Sequence, residues 1–366
     1  MERSFPFTHT IEEILHEVAE RDTGSKELIQ KAYAFSEKAH TGHMRLSGEP
    51  HLAHLTTTAF YLAQIGMDAL AIAAGLLHDT LEDTKTTAAD LKEVFGEEIS
   101  FLVEGVTRLG SFSFYGDEAH VADLRHFFIA SAKDIRVILI KLFDRLHNMQ
   151  TNSFHEPARA KRKAVETMEI YVPIAERLGM GRLRRQLEDL SFPFVDQGPF
   201  SRTAELREHQ TEKRAGILLQ MEKDVREHLI QRGVALLNTE IRLKSLWSLY
   251  QKINRKGGDL KLIHDIVAVR VIVSSVGDCY ATLGIVHELY RPLPGEFKDY
   301  IAFPKPNGYQ SIHTTVAAPD GPVEVHIRTR DMHKQAEFGV ALNLSHKELA
   351  DLPAQDVYES KLFFRS

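Results

Sequence analysis

At 366 residues the chain exceeds what one typical hydrophobic core organises, so two or three domains are expected. Its 43% hydrophobic and 26% charged residues are ordinary for a globular protein, and a formal charge of −6 excludes any global attraction to nucleic acid or anionic membranes, so phosphate chemistry must be built locally. The single cysteine, Cys279, excludes an internal disulfide or a cysteine metal cluster and fits a reducing compartment, with the cytoplasm as the expected location.

The N-terminus, MERSFPFTHTIEEILHEVAE, mixes acidic and apolar residues at helical spacing and lacks the apolar core of a signal peptide. Thr10 followed by Glu13 predicts a capping box that opens a helix. No stretch approaches the roughly 18 uninterrupted apolar residues of a membrane span, so no membrane partner is expected. From about 10 to 190 the pattern is helical, with polar joints at 40–50 and 110–118 and no strand signal.

Within that half, ALAIAAGLLHDTLEDT (69–84) is apolar on every face until it reaches His78 and Asp79. A buried helix that delivers a carboxylate at its deep end needs compensation, and a cation supplies it. Glu82 and Asp83 follow at helical spacing as a second acid pair. The run IRVILIKLFDRLHNM (135–149) repeats the device with Asp144, Arg145 and Asn148 at its polar end, and HLAHL adds His54. A lone His-Asp pair in a helix is more often a capped end than a ligand set, but two such helices together favour a metal phosphohydrolase site. Two imidazoles and two carboxylates suit Mn, Fe or Zn better than Mg. His40, His43, His51 and His147 are weaker candidates, expected at the surface or around the ligands.

Residues 203–232 form a charged segment with Leu218, Met221, Val225 and Leu229 on one helical stripe, which reads as a connector. Near residue 262 the character changes: IHDIVAVRVIVSS reads as a strand, DCYATLGIVHELY as a helix, and SIHTTVAA with VEVHIRT as a hairpin followed by a helix through HKQAEFG. RLKSLWSLYQK (242–252) is expected to place Arg242, Lys244, Ser248 and Lys252 along a helical segment; taken alone it is a solvated basic face. The stretch 295–315, read as a loop, gathers Lys298, Lys305, Asn307, Tyr309, Gln310 and His313: ammoniums for phosphate, a ring for a base, amides for base edges. Asp265 near the start of the strand and Glu324 in the hairpin are placed to share Mg²⁺ on one sheet face. No Walker-type glycine loop is present, which argues against a P-loop enzyme.

At this point SGEPHLAHL, GLLHDTLEDT, VILIKLFDRLHNMQT, YVPIAERLG, LEDLSF, GEFKDYIAFPKPNGYQSIHTT and VEVHIRT resemble, in order, the sequence of the RelA/SpoT family of bifunctional alarmone enzymes. The resemblance implies a multidomain α and α/β protein. An all-helical HD-type hydrolase domain (1–155) would be followed by a helical connector (156–232), a mixed α/β nucleotidyltransferase-like synthetase domain (233–350) and a tail (351–366). It implies removal of the 3′-pyrophosphate of (p)ppGpp with Mn²⁺, and transfer of pyrophosphate from ATP to GDP or GTP with Mg²⁺. By position, His54, His78, Asp79 and Asp144 match the hydrolase metal ligands, Glu82 and Asp83 the catalytic acid pair, and Arg45, Asn148 and Thr151 substrate contacts. Asp265 and Glu324 match the Mg²⁺ carboxylates, with Glu324 also the base for the attacking hydroxyl. Arg242, Lys244, Ser248 and Lys252 resemble the ATP-site run, and Tyr309 the ring stacked on guanine, with Lys305, Asn307, Gln310 and His313 around it.

The chain departs from the family's usual YIVHP at HLAHL, from RFKD at Glu296-Phe297-Lys298-Asp299, and from AAHWKYKE at VALNLSHKE, and longer members continue into regulatory domains. A competing reading is a nucleotide-sensing protein in which only the hydrolase site turns over; it is disfavoured because every expected ligand and acid is present. An RNA-modifying nucleotidyltransferase is disfavoured by the acidic balance, and no nucleic-acid partner is expected.

Overall fold

The computed structural model describes residues 8–18, 23–110, 134–259, 263, 265–319 and 321–342. The chain divides after Leu178: the described residues up to there, with Val340–Leu342, form one compact unit, and the described residues of Gly179–Gly339 form the other. This division falls inside the 156–232 stretch read as a connector. The joint at 111–118 and the tail at 351–366 lie outside the described residues.

The first unit is helical, as its periodicity predicts. The Thr10/Glu13 capping box is present at the start of helix Ile11–Glu17. Helix Ala69–Leu77 buries every residue from Ala71 to Leu77, each large side chain contributing about 1.5–3 kcal/mol of burial. It lies so close to helix His51–Gln64 that a Cβ on Gly75 would stand 2.6 Å from Leu62 Cδ1. The 69–84 run is not one helix. It breaks at His78 and Asp79, because the Thr80 hydroxyl donates to the Leu77 carbonyl (2.5 Å) and the His78 ring meets the Gly75 carbonyl (2.8 Å), and a short helix, Thr80–Asp83, follows. Helix Ile135–Gln150 is capped by Asp134, and its Arg136 ties three helix starts together. Its guanidinium bonds Asp134, Asp68 (the cap of Ala69–Leu77) and Glu98 (first turn of Glu97–Gly110) at 2.7–3.0 Å. Carboxylates at helix N-termini are favoured by the backbone dipole, and one arginine neutralises their mutual repulsion. The sole extended pairing among the described residues of this unit is an isolated bridge between Met44 and Pro50.

The second unit carries a five-stranded sheet in the order β1-β2-β5-β4-β3, where β1 is Leu236–Leu243, β2 Val267–Val273, β3 Pro292–Asp299, β4 Ile312–Ala318 and β5 Gly321–Thr329. β2 and β5 are parallel; the other pairs are antiparallel. One face is apolar: Val267, Val269, Val271, Val325 and Ile327 meet the predicted stripe Leu218, Met221, Val225 and Leu229, carried on the single helix Gln197–Gln231. The alternation of Val323, Val325 and Ile327 with Glu324, His326 and Arg328 turns the polar side chains to the other face.

Two expectations change here. Arg242 belongs to strand β1 and not to a helix with Ser248 and Lys252, which lie on helix Leu246–Arg255. Residues 295–299, read as loop, are part of β3. That strand is an exposed edge with Pro292, Pro294 and Gly295 and a register shift before Phe297, so it lacks the apolar alternation that marks a buried strand.

Candidate active sites

In the helical unit, helix His51–Gln64, the 77–80 junction and helix Ile135–Gln150 bring four predicted ligands to one point. His54 Nε2 lies 3.2 Å from His78 Nε2, 3.2 Å from Asp144 Oδ1 and 3.5 Å from Asp79 Oδ2; His78 Nε2 is 3.2 Å from Asp79 Oδ1 and 3.8 Å from Asp144 Oδ1. Donor atoms about 2.1 Å from a shared ion lie roughly 3.0–3.4 Å apart, so the spacing fits a divalent cation. The ring orientations fit as well. The carbonyl of Gly75 accepts from His78 Nδ1 and leaves Nε2 as a lone pair, while His54 Nδ1 meets His147 Nδ1 at 2.8 Å. Burial, then the charge of Arg45, lowers His54 to about 3, keeping it in the neutral form that a metal needs. For Asp79 and Asp144 burial acts upward, but His78 beside the first and Lys141 beside the second hold both carboxyls well below their ordinary value.

Around this centre, Arg45 Nη2 donates to Asn148 Oδ1 (2.7 Å) and Thr151 Oγ1 (3.4 Å), so the three expected substrate contacts converge. Asn148 Nδ2 in turn donates to Asp144 Oδ1. Burial raises the Glu82 carboxyl, with Lys141 opposing, and Asp83 stands exposed 3.6 Å from His51. Sequence reasoning ranked His51 and His147 low and passed over Lys141. His51 Nε2 is 3.0 Å from Asp79 Oδ2, and Lys141 Nζ is 2.8 Å from Asp144 Oδ2. The available signal for Lys141 was a lysine inside the apolar run VILIKLF, which requires a buried partner.

In the second unit two register rows cross the polar sheet face. One runs Arg242, Ala268, Glu324, Thr315; the next runs Glu240, Arg270, His326, His313, Lys298. Residues opposite one another in register share a face, and Ala268 contributes only a methyl between Arg242 and Glu324. Glu324 is gripped by two imidazoles, His313 Nδ1 at 3.2 Å and His326 Nε2 at 3.3 Å; burial acts upward on its carboxyl, but these contacts hold it well below the usual range. Burial, with the charge of His313, lowers His326 to about 3. Asp265 sits apart from that grip, between Lys244 Nζ (2.6 Å) and Lys252 Nζ (2.7 Å). Ser248 meets Ser245 (2.8 Å) and Glu188 (3.4 Å). Lys305 Nζ stands over the rings of Tyr300 (4.7 Å) and Tyr309 (5.3 Å), the Tyr309 hydroxyl reaches His313 Nε2 (2.8 Å), Asn307 accepts from the Tyr309 amide, and Gln310 donates to the Ile301 carbonyl. Glu337, unnoticed in the sequence, takes Arg185 (2.5 Å) and Arg328 (3.3 Å), because helix Arg330–Phe338 folds back on the sheet.

Residues 32–181 match the HD domain, and residues 241–351 match the region found in RelA / SpoT proteins. The chain is 41% identical to a GTP pyrophosphokinase of Streptomyces coelicolor, over 98% of this chain and 42% of that protein. It is 44% identical to a GTP pyrophosphokinase of Myxococcus xanthus (88% and 43%) and 42% identical to a guanosine-3′,5′-bis(diphosphate) 3′-pyrophosphohydrolase of Aquifex aeolicus (93% and 49%). The chain thus spans less than half the length of these relatives. An HD domain implies a divalent metal, and His54, His78 and Asp144, with Asp79, fit one. No helix among the described residues is long and apolar enough to cross a membrane.

Proposed function

Because the chain belongs to the RelA/SpoT family, we propose that it is a two-site alarmone enzyme. The helical unit hydrolyses (p)ppGpp to GDP or GTP and pyrophosphate. The sheet unit transfers pyrophosphate from ATP to the 3′-hydroxyl of GDP or GTP. The observation that carries this reading is that one chain holds both a convergent two-histidine, two-carboxylate cluster and a cation-rich sheet face centred on Glu324. Relatives named for each of the two reactions support it.

In the hydrolase, His54, His78, Asp79 and Asp144 would hold Mn²⁺, which when bound supplies positive charge for the phosphate and a more acidic water. Arg45, with Asn148 and Thr151, binds and orients the nucleotide. Glu82, whose carboxyl burial pushes upward, and Asp83 are the acid pair that would move protons for the attacking water and the leaving pyrophosphate. In the synthetase, Asp265 and Glu324 would share Mg²⁺. Arg242, Lys244, Ser248 and Lys252 hold ATP; Tyr309 stacks on guanine; Lys298, Lys305, Asn307, Gln310 and His313 position the acceptor. Glu324, already ionised, takes the proton of the 3′-hydroxyl. In-line transfer requires charge neutralisation and alignment more than covalent participation, and that is what this face offers.

The test is to incubate the chain with ATP and GDP or GTP under Mg²⁺, and separately with ppGpp under Mn²⁺, and to resolve the nucleotides. AMP with (p)ppGpp is expected from the first and GDP with pyrophosphate from the second. Asp79→Ala removes only the second activity and Glu324→Gln only the first. A wild-type chain lacking either product, or a folded variant that loses both, overturns the two-site reading. Full hydrolysis by metal-stripped protein given only Mg²⁺ overturns the Mn²⁺ assignment.

A further inference from the structure

Arg242 Nη1 bonds His326 Nδ1 at 3.2 Å, and this contact fixes more than a distance. A guanidinium can only donate, so Nδ1 must be the lone-pair nitrogen and the ring's one proton must sit on Nε2. That N–H is buried, finds no aligned hydrogen-bond partner among the described residues, and lies 3.3 Å from Glu324 Oε2. The His313 ring stacks on His326 at 3.9 Å, nearly parallel, and faces the other carboxylate oxygen at 3.2 Å. A carboxylate only accepts, so His313 presents Nδ1–H, and its Nε2 accepts from the Tyr309 hydroxyl at 2.8 Å. Two stacked imidazoles therefore each place one ring N–H beside a different oxygen of Glu324, one fixed from the Arg242 side and one from the Tyr309 side. The same three groups lie within 4.8 Å of one another, as a metal site would require, but the proton on His326 Nε2 denies a cation that nitrogen.

We propose that His326 is a positioning residue of the transferase, a role resting on the assignment of Glu324 above: its Nε2–H, oriented by Arg242, holds the Glu324 carboxylate for the acceptor hydroxyl. A contact that is long in the free protein and shortens in the complex is common at such sites. Glutamine can reproduce both ends of the relay, its amide oxygen accepting from Arg242 and its NH₂ donating to Glu324. Leucine can do neither.

His326→Leu should lower kcat for pyrophosphate transfer roughly 10- to 100-fold, with KM for ATP and for GDP changed less than about threefold, while His326→Gln recovers most of the loss. Melting transitions of both variants report folding. The ¹⁵N shifts of His326 in the wild-type chain should show a protonated Nε2 and a bare Nδ1. An unchanged kcat in a folded His326→Leu, a loss carried in KM for ATP, a glutamine no better than leucine, or the opposite tautomer overturns the proposal. A wild-type chain without transfer activity, or a Glu324→Gln variant that transfers normally, overturns the reading of Glu324 instead, and the tautomer still decides the orientation of His326.

Discussion

Lys141 Nζ lies 2.8 Å from Asp144 Oδ2, one turn earlier on the same buried helix, with both side chains at or below 10% exposure. Removing one member of a buried pair leaves the other charge uncompensated, at about 3–5 kcal/mol. Lys141→Met should therefore destabilise the chain strongly when divalent metal is chelated. Added Mn²⁺ should restore part of the loss, because a cation among His54, His78, Asp79 and Asp144 takes over neutralisation of Asp144. Denaturant melts with chelator and with Mn²⁺ measure this. Equal destabilisation in both conditions would remove Asp144 from the metal set.

Gly75 sets the approach of the two helices that bring His54 and His78 together. A methyl there would sit 2.6 Å from Leu62 Cδ1 and 3.6 Å from the Ala59 Cα. Gly75→Ala is expected to cost ~1–3 kcal/mol through overpacking and to weaken metal binding, since both rings shift with their helices. Urea melts and metal titration of the apo chain test it; a stabilised variant with unchanged metal affinity would show that Leu62 yields freely.

The helical half was legible because burial and period coincide there: Ala69–Leu77 is wholly apolar, Ile135–Gln150 is buried almost throughout, and Lys141, Asp144, His147 and Asn148 of the latter lie at the site. The strands were legible where β-branched residues run together, in β2 and β4, and where apolar residues alternate with polar ones, in β5. β1 was hidden because LLNTEIRL is mostly half-exposed and runs directly into the basic helix, and β3 because its pairing is interrupted by prolines and a glycine. The grouping of His54, His78, Asp79 and Asp144 followed from the sequence, whereas the tautomer of His326, the Arg136 junction and the Arg185–Glu337 pair depend on distances between segments tens of residues apart, which periodicity does not encode.

Glu296, on the exposed β3, stands where the resemblance to the family, with its RFKD, leads one to expect arginine. A negative group close to the acceptor phosphates disfavours the more highly charged nucleotide, by ~1 kcal/mol for a solvent-screened charge. Glu296→Arg is expected to shift the GTP/GDP ratio of kcat/KM toward GTP by about fivefold. A ratio that does not move would mean that the side chain points away from the acceptor.

Lys163 gives the pH dependence. Its Nζ lies 3.0 Å from His155 Nε2, and burial, reinforced by the charges of Arg145 and Arg159, lowers it from 10.5 to about 8. His155 is lowered as well, to about 4, by burial and by Lys163, so it stays neutral and accepts from the ammonium. Between pH 8 and 10.5 the unfolded chain still holds the Lys163 proton while the folded chain has released it. The unfolded state then binds more protons, and the stability attributable to this residue rises with pH across that window. Below pH 8 the folded state carries the full penalty of a partly buried ammonium beside two guanidiniums. Lys163→Met should accordingly be more stable than the wild type at pH 7, with the advantage shrinking as pH rises through 8 and levelling off above 10.5. Urea melts of both proteins at pH 7, 9 and about 10.5 follow the difference, and other titrating groups cancel in the comparison. A wild type that is the more stable of the two at pH 7, with the gap closing as pH rises, would mean that the ammonium is stabilised in the fold by a partner that outweighs burial.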